Sequence, residues 1–119
     1  MKKFLTVLFL CSTLIVSAQK ILEFDRIDLL YEPIKVYDTE SVFIIEPDSF
    51  VLLIGDVKET YKRISKVKEV EVEGHEFFAF LAKSKSSGEE LIVYFKKDNE
   101  GVVIVKEDKT KAPAVFYNK

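Results

Sequence analysis

Beyond residue 40 the chain is a succession of short apolar runs, rich in Val, Ile, Phe and Tyr, which turn-forming clusters interrupt about every eight to twelve residues. The runs are Ser41–Glu46, Phe50–Gly55, Lys66–Glu73, Glu76–Lys83, Glu89–Lys96, Val102–Lys106 and Ala114–Tyr117. β-Branched and aromatic side chains suit a pleated, half-buried surface, and runs this short favour strands over helices. The rhythm predicts an all-β fold, a small antiparallel meander of about seven or eight strands that forms a barrel or barrel-like sandwich.

The connections point the same way. Glu46-Pro47-Asp48-Ser49 has Pro and Asp where a hairpin turn wants a fixed φ and a self-bonding side chain. Gly74-His75 reads as a Gly-first two-residue loop, pairing Val72 with Phe77 and Val70 with Ala79. That register puts Phe78 and Phe80 on the face opposite Ala79, beside Glu69 and Glu71. Two longer loops, 84–88 and 97–101, end in Gly, as expected where the chain must leave with φ > 0. In the run that follows Gly88, Leu91, Val93 and Phe95 share one face while Ile92 and Tyr94 share the other. Both faces carry apolar weight, which a sheet solvated on one side does not need.

Two stretches fit the strand rhythm poorly. Asp56-Val57-Lys58-Glu59 resembles a helix capping box, and Val57, Tyr61 and Ile64 follow at helical spacing. A short helix at 56–66 is the alternative to a twisted strand whose phase slips at a bulge between Ile64 and Val67. Residues 21–31 fit neither period.

The amino terminus differs from the rest. Lys2 and Lys3 precede an uncharged run from Phe4 to Val16, and Val16 and Ala18 occupy the small-residue positions of a signal-peptidase site. This predicts a secretory signal peptide over 1–18, cleaved after Ala18, and one domain over 19–119 in a secreted or periplasmic protein. The apolar run is shorter than the roughly 20 residues a membrane-spanning helix needs, so the mature chain is not expected to span a membrane. Cleavage would remove the only cysteine, Cys11, leaving a disulfide-free domain held by packing and backbone pairing. It would also remove two of the 18 basic residues, setting 16 against 20 acidic ones, a formal charge of −4 rather than −2. Such a chain lacks the basic field that attracts nucleic acid.

Catalytic signatures are scarce. Phosphate-binding Gly-rich loops, HExxH and GxSxG are absent, and the one histidine, His75, lies in a predicted turn. No metal, cofactor or catalytic set is expected. The alternating acids Glu69, Glu71 and Glu73, with Glu76 across the turn, read as a solvated face that nearby lysines would balance. The aromatic residues are mostly core, but a barrel mouth can keep an apolar pocket, for which Phe78, Phe80 and Tyr94 are the candidate lining.

The functional expectation is an exported, non-catalytic binding or interaction domain, with a small apolar ligand or another envelope protein as partner. In its meander and aromatic content the chain resembles lipocalin-like barrels, which implies a small apolar ligand. The Gly-x-Trp motif of that family is absent, there being no Trp, and no residue role is carried over. The alternative is a small secreted hydrolase using two carboxylates, Glu71 with Glu73 or Asp56 with Glu59.

Overall fold

The computed structural model describes residues 20–30, 34–107 and 110–119. The signal-peptide expectation for 1–18 therefore lies outside the described residues, as does Cys11. Eleven strands follow one another: β1 (Lys20–Phe24), β2 (Arg26–Leu29), β3 (Lys35–Tyr37), β4 (Ser41–Ile45), β5 (Ser49–Ile54), β6 (Val57–Arg63), β7 (Lys68–Val72), β8 (His75–Ser84), β9 (Glu90–Lys96), β10 (Gly101–Lys106) and β11 (Ala114–Tyr117). The fold is all-β, with no helix among the described residues. All strands belong to one sheet in the order β1-β4-β5-β6-β8-β9-β10-β11-β2-β3, with β7 also paired to β8, and every pairing is antiparallel.

Two breaks explain how eleven segments correspond to the seven or eight strands expected of a barrel or barrel-like sandwich. At the first, β1 pairs with β4 and β2 with β11, although only Asp25 separates β1 from β2. The inward-facing residues pass from Leu22 and Phe24 to Ile27, an odd step. This phase change is why no single period fits residues 21–31. At the second, β6 pairs with β8 at Arg63↔Ala82, and β7 resumes at Lys68↔Ala79. Four residues, Ile64 to Val67, thus oppose two on β8, a bulge with two extra residues. The gap is stitched by Ile64 N donating to Leu81 O (2.9 Å) and Leu81 N donating to Ser65 Oγ (2.8 Å). Counting each broken pair once, the strands form eight staves, with β3 as a short extra edge.

The alternative of a helix at 56–66 is incorrect. Ile54 pairs with Val57, so Gly55-Asp56 closes a tight hairpin with Gly55 at φ 55. Lys58, Glu59 and Thr60 then enter the ladder with β5. Of the three residues at helical spacing, Val57 is 64% and Ile64 43% exposed, while Tyr61 is 7% exposed. A helix here would bury one apolar side chain and strip β5 of its partner, so strand pairing wins over the local capping signal.

The Pro47-Asp48 hairpin forms as expected, with Glu46 N donating to Ser49 O at 2.9 Å. The β7–β8 turn is a correction. Val72 pairs with His75, and Glu73 and Gly74 take φ 50 and 82. This is the two-positive-φ pattern of a type I′ turn at Glu73-Gly74, not a Gly-first loop at Gly74-His75. The register moves by two residues, and because strand side chains alternate with period two, every face assignment survives. In the later loops Gly88 has the expected positive φ of 76, but after the 97–101 loop Asn99 takes φ 66 instead of Gly101. A Cβ at Gly101 would lie 3.4 Å from Phe116 O, in van der Waals contact.

The sheet is not closed by backbone pairing, for β1 and β11 are not partners. Side chains close the seam instead. Asn118 Oδ1 accepts from Asp25 N (3.1 Å), and Asn118 Nδ2 donates to Glu23 O (3.0 Å). The interior is a cluster of aromatic rings around Phe43, which is 0% exposed. Phe43 meets Phe24, Phe50, Phe95 and Phe116 with centroids 5.9, 6.1, 5.9 and 4.9 Å away. β4 and β11 stand six steps apart in the sheet, so a direct ring contact between them requires the sheet to curl or fold back on itself.

Candidate functional site

Along each strand the inward positions form a row. β1 turns Lys20, Leu22 and Phe24 inward, β6 turns Glu59, Tyr61 and Arg63, β8 turns Phe78, Phe80, Ala82 and Ser84, and β9 turns Leu91, Val93 and Phe95. In the barrel middle these rows are apolar and packed. Toward one end they part, leaving a cavity of about 540 Å³.

Its walls are mostly carbon. Phe80 and Phe95 form the floor, stacked 5.8 Å apart, and Phe80 also meets Phe50 edge-on at 6.1 Å. Ile45, Pro47 and Val67 add apolar wall, and Phe78, 38% exposed, forms part of the rim. The polar lining consists of Lys20, Arg63, Glu46 and Ser49. Burial pushes the Lys20 ammonium pKa down, because a partly desolvated charge favours its neutral form.

Of the three pocket residues expected from sequence, the structure brings Phe78 and Phe80 together in this cavity. Tyr94 is on the other side of the sheet. It pairs with Ala79 and packs edge-on against Phe77 at 6.1 Å. The parity of the strands already separated Tyr94 from Phe95, which takes the third aromatic place. Lys20 and Arg63 were missed because an isolated cation at a strand end carries no motif. The detectable signal was their spacing in steps of two from Leu22 and Tyr61.

The acidic alternation has a structural role at the rim. Glu69 pairs with Lys97, whose Nζ also lies 3.5 Å from Glu76 and 5.1 Å from the Phe78 ring centroid. The hydrogen bond with Glu69 lowers the carboxyl pKa and raises that of Lys97. Among the described residues the partner of Glu69 is thus Lys97, just past the end of β9. A cation over an aromatic face restrains it, so this cluster fixes one face of the Phe78 ring.

The carboxylates of the hydrolase alternative are elsewhere. Glu71 and Glu73 are exposed on the β7–β8 hairpin, and Asp56 is exposed in the β5–β6 turn. Glu59 accepts from the hydroxyls of Ser84 and Ser86, the latter at 2.6 Å, and these bonds hold its pKa down. None of the four lines the cavity. His75 is exposed at the start of β8. Among the described residues no group of three His, Cys, Asp or Glu is placed to hold a metal ion. β3 ends the sheet on one side, and Val36 and Tyr37 on it, with the adjacent Ile34, are exposed. Comparison with protein-family models, with curated proteins and with solved structures finds no match to this chain.

Proposed function

We propose that the protein is an exported binding domain that takes a small apolar ligand into the cavity ringed by Phe78, Phe80 and Phe95. The observation that carries this reading is a half-open space of about 540 Å³ walled by aromatic and aliphatic side chains with few polar groups. Sites for small molecules have this character and span roughly 300–1,000 Å³. Much of the barrel is solidly packed, with Phe43, Phe50, Val93 and Val102 at 0% exposure, so the space at this end is a local departure from close packing. Export rests on the amino-terminal pattern of Lys2, Lys3, the Phe4–Val16 run and Ala18.

Native mass spectrometry of the protein purified from its own host is the direct test. An apolar molecule travelling with the folded chain is the expected result, together with a mass that begins at Gln19. A protein that is empty, and whose Phe80 ring resonances do not move when apolar amphiphiles are added, would overturn the binding reading.

A further inference from the structure

We infer that the ligand is an anionic amphiphile, its apolar chain lying on Phe80 and Phe95 and its head group held between Lys20 and Arg63. This rests on the cavity being a ligand site and adds the chemistry of the ligand. Lys20 and Arg63 occupy inward positions, in line with Leu22 and Phe24 on β1 and with Tyr61 on β6. A barrel of this size normally fills such positions with apolar side chains. Here two strands that are not neighbours each end their inner row in a cation, and both cations line one cavity.

Among the described residues neither Lys20 nor Arg63 forms an ion pair. Arg63 spends one donor on Ser65 O at 3.4 Å, leaving most of its five N–H groups available. The other charges nearby do not alter the balance. Lys97 at the Phe78 rim is matched by Glu69 and Glu76, and Glu46, the only carboxylate in the lining among the described residues, is exposed on the Pro47 turn. Among the described residues two cations therefore face one anion. At the barrel's other end the inward-facing Glu59 is satisfied by Ser84 and Ser86, and Glu89 by Lys106 (3.3 Å) and Lys111 (2.6 Å). An ammonium that has lost part of its water without gaining a counter-charge leaves an electrostatic deficit that a carboxylate, sulfate or phosphate head would fill. The apolar floor alone would favour any hydrophobe; the cation pair selects among them.

Three amphiphiles with the same chain test this by calorimetric titration into the protein as its host processes it: dodecanoate, dodecan-1-ol and dodecyltrimethylammonium. Dodecanoate should bind at least about tenfold more tightly than the alcohol, the scale of one charge-assisted hydrogen bond, and the cationic probe most weakly. Replacing both cations (Lys20→Gln with Arg63→Gln) should bring dodecanoate down to the affinity of the alcohol and leave the alcohol within about twofold. Lys62→Gln, on the outer face of the same strand, should change neither. Equal binding of the acid and the alcohol, preference for the cationic probe, or an effect of Lys62→Gln as large as that of Arg63→Gln would overturn the head-group assignment and leave an apolar site intact. If none of the three binds, the ligand site itself is refuted, and this inference with it.

Discussion

Phe43 lies where rings from four other strands meet, and truncating it tests the fold directly. Its ring is fully buried and touches rings from β1, β5, β9 and β11. Phe→Ala in a core costs about 3–5 kcal/mol through lost transfer energy and the cavity left behind. Edge-to-face pairs contribute about 0.5–1.5 kcal/mol each beyond area burial, and three of the four contacts here are of that kind, so Phe43→Ala belongs at the upper end of the Phe→Ala range, about 5 kcal/mol. A domain of this size has a total stability of about 5–15 kcal/mol, and each 1 kcal/mol moves Tm by about 4–8 °C. The variant should therefore be at the edge of folding, with Tm lowered by roughly 20 °C or more. Urea unfolding followed by circular dichroism measures this, with Phe43→Leu as a milder version and Phe78→Ala, at the half-exposed rim, as the control. If Phe43→Ala costs less than about 2 kcal/mol, or no more than Phe78→Ala, the ring cluster does not hold the staves together.

Other parts of the structure give smaller effects. Glu73 holds a left-handed φ of 50 ahead of Gly74, where the type I′ turn favours Asn, so Glu73→Asn should stabilise by up to about 1 kcal/mol in the same unfolding assay. Asn118→Ala removes two of the three side-chain bonds across the seam, leaving Lys119 N donating to Asp25 Oδ1 (2.9 Å), and should cost about 1–2 kcal/mol, with faster hydrogen exchange at the Asp25 amide. Burial, reinforced by the Glu59 and Glu89 charges, pushes the Tyr61 hydroxyl up to about 12 from 10.0. The folded protein then holds that proton more tightly than the unfolded chain, so its contribution to stability is intact below pH 10 and is lost as pH rises toward 12. A phenolate absorbance titration of the wild type should show a late-ionising tyrosine that Tyr61→Phe removes.

The parts of the fold legible in the sequence were those set by side-chain period and turn chemistry. Leu91, Val93 and Phe95 alternate in a single unbroken strand, and their burial followed from spacing alone. Even the misplaced Glu73-Gly74 turn cost nothing in face assignment, because the error was a step of two. What spacing could not give was anything decided between distant segments. The bend at Asp25 divides one extended stretch between β4 and β11, partners that no local signal names. Asp56 to Glu59 imitates a helix start, and only the demand of β5 for a partner overrides it. Of the three residues proposed from sequence, Phe78 and Phe80 line the cavity, while Tyr94, chosen for its aromatic character against its own parity, stands on the other face. Lys20 and Arg63 become meaningful only when the barrel brings two strand ends to one mouth.

The cavity can be traced to one local device, the two extra residues between β6 and β7. Arg63 opposes Ala82 and Lys68 opposes Ala79, so the chain bows away from β8 opposite Phe80 and Leu81. Phe80 thereby loses the close lateral neighbour that a continuous stave would supply, and Val67 and Arg63 line the space instead. Deleting Ser65 and Lys66 restores a constant register, and since the step is two residues, the inward faces of β6 and β7 are unchanged. The Leu81 amide exchanges its bond from Ser65 Oγ for an ordinary ladder partner, so stability should change by no more than about 1–2 kcal/mol. Ligand uptake should fall more than about tenfold, because the wall closes over Phe80 while the rest of the barrel stands. Amphiphile titration beside a urea melt separates the two effects. A deletion variant that folds normally and still binds dodecanoate as the parent does would show that the opening comes from the Pro47 turn or the strand ends, and that the bulge is only a fault in pairing.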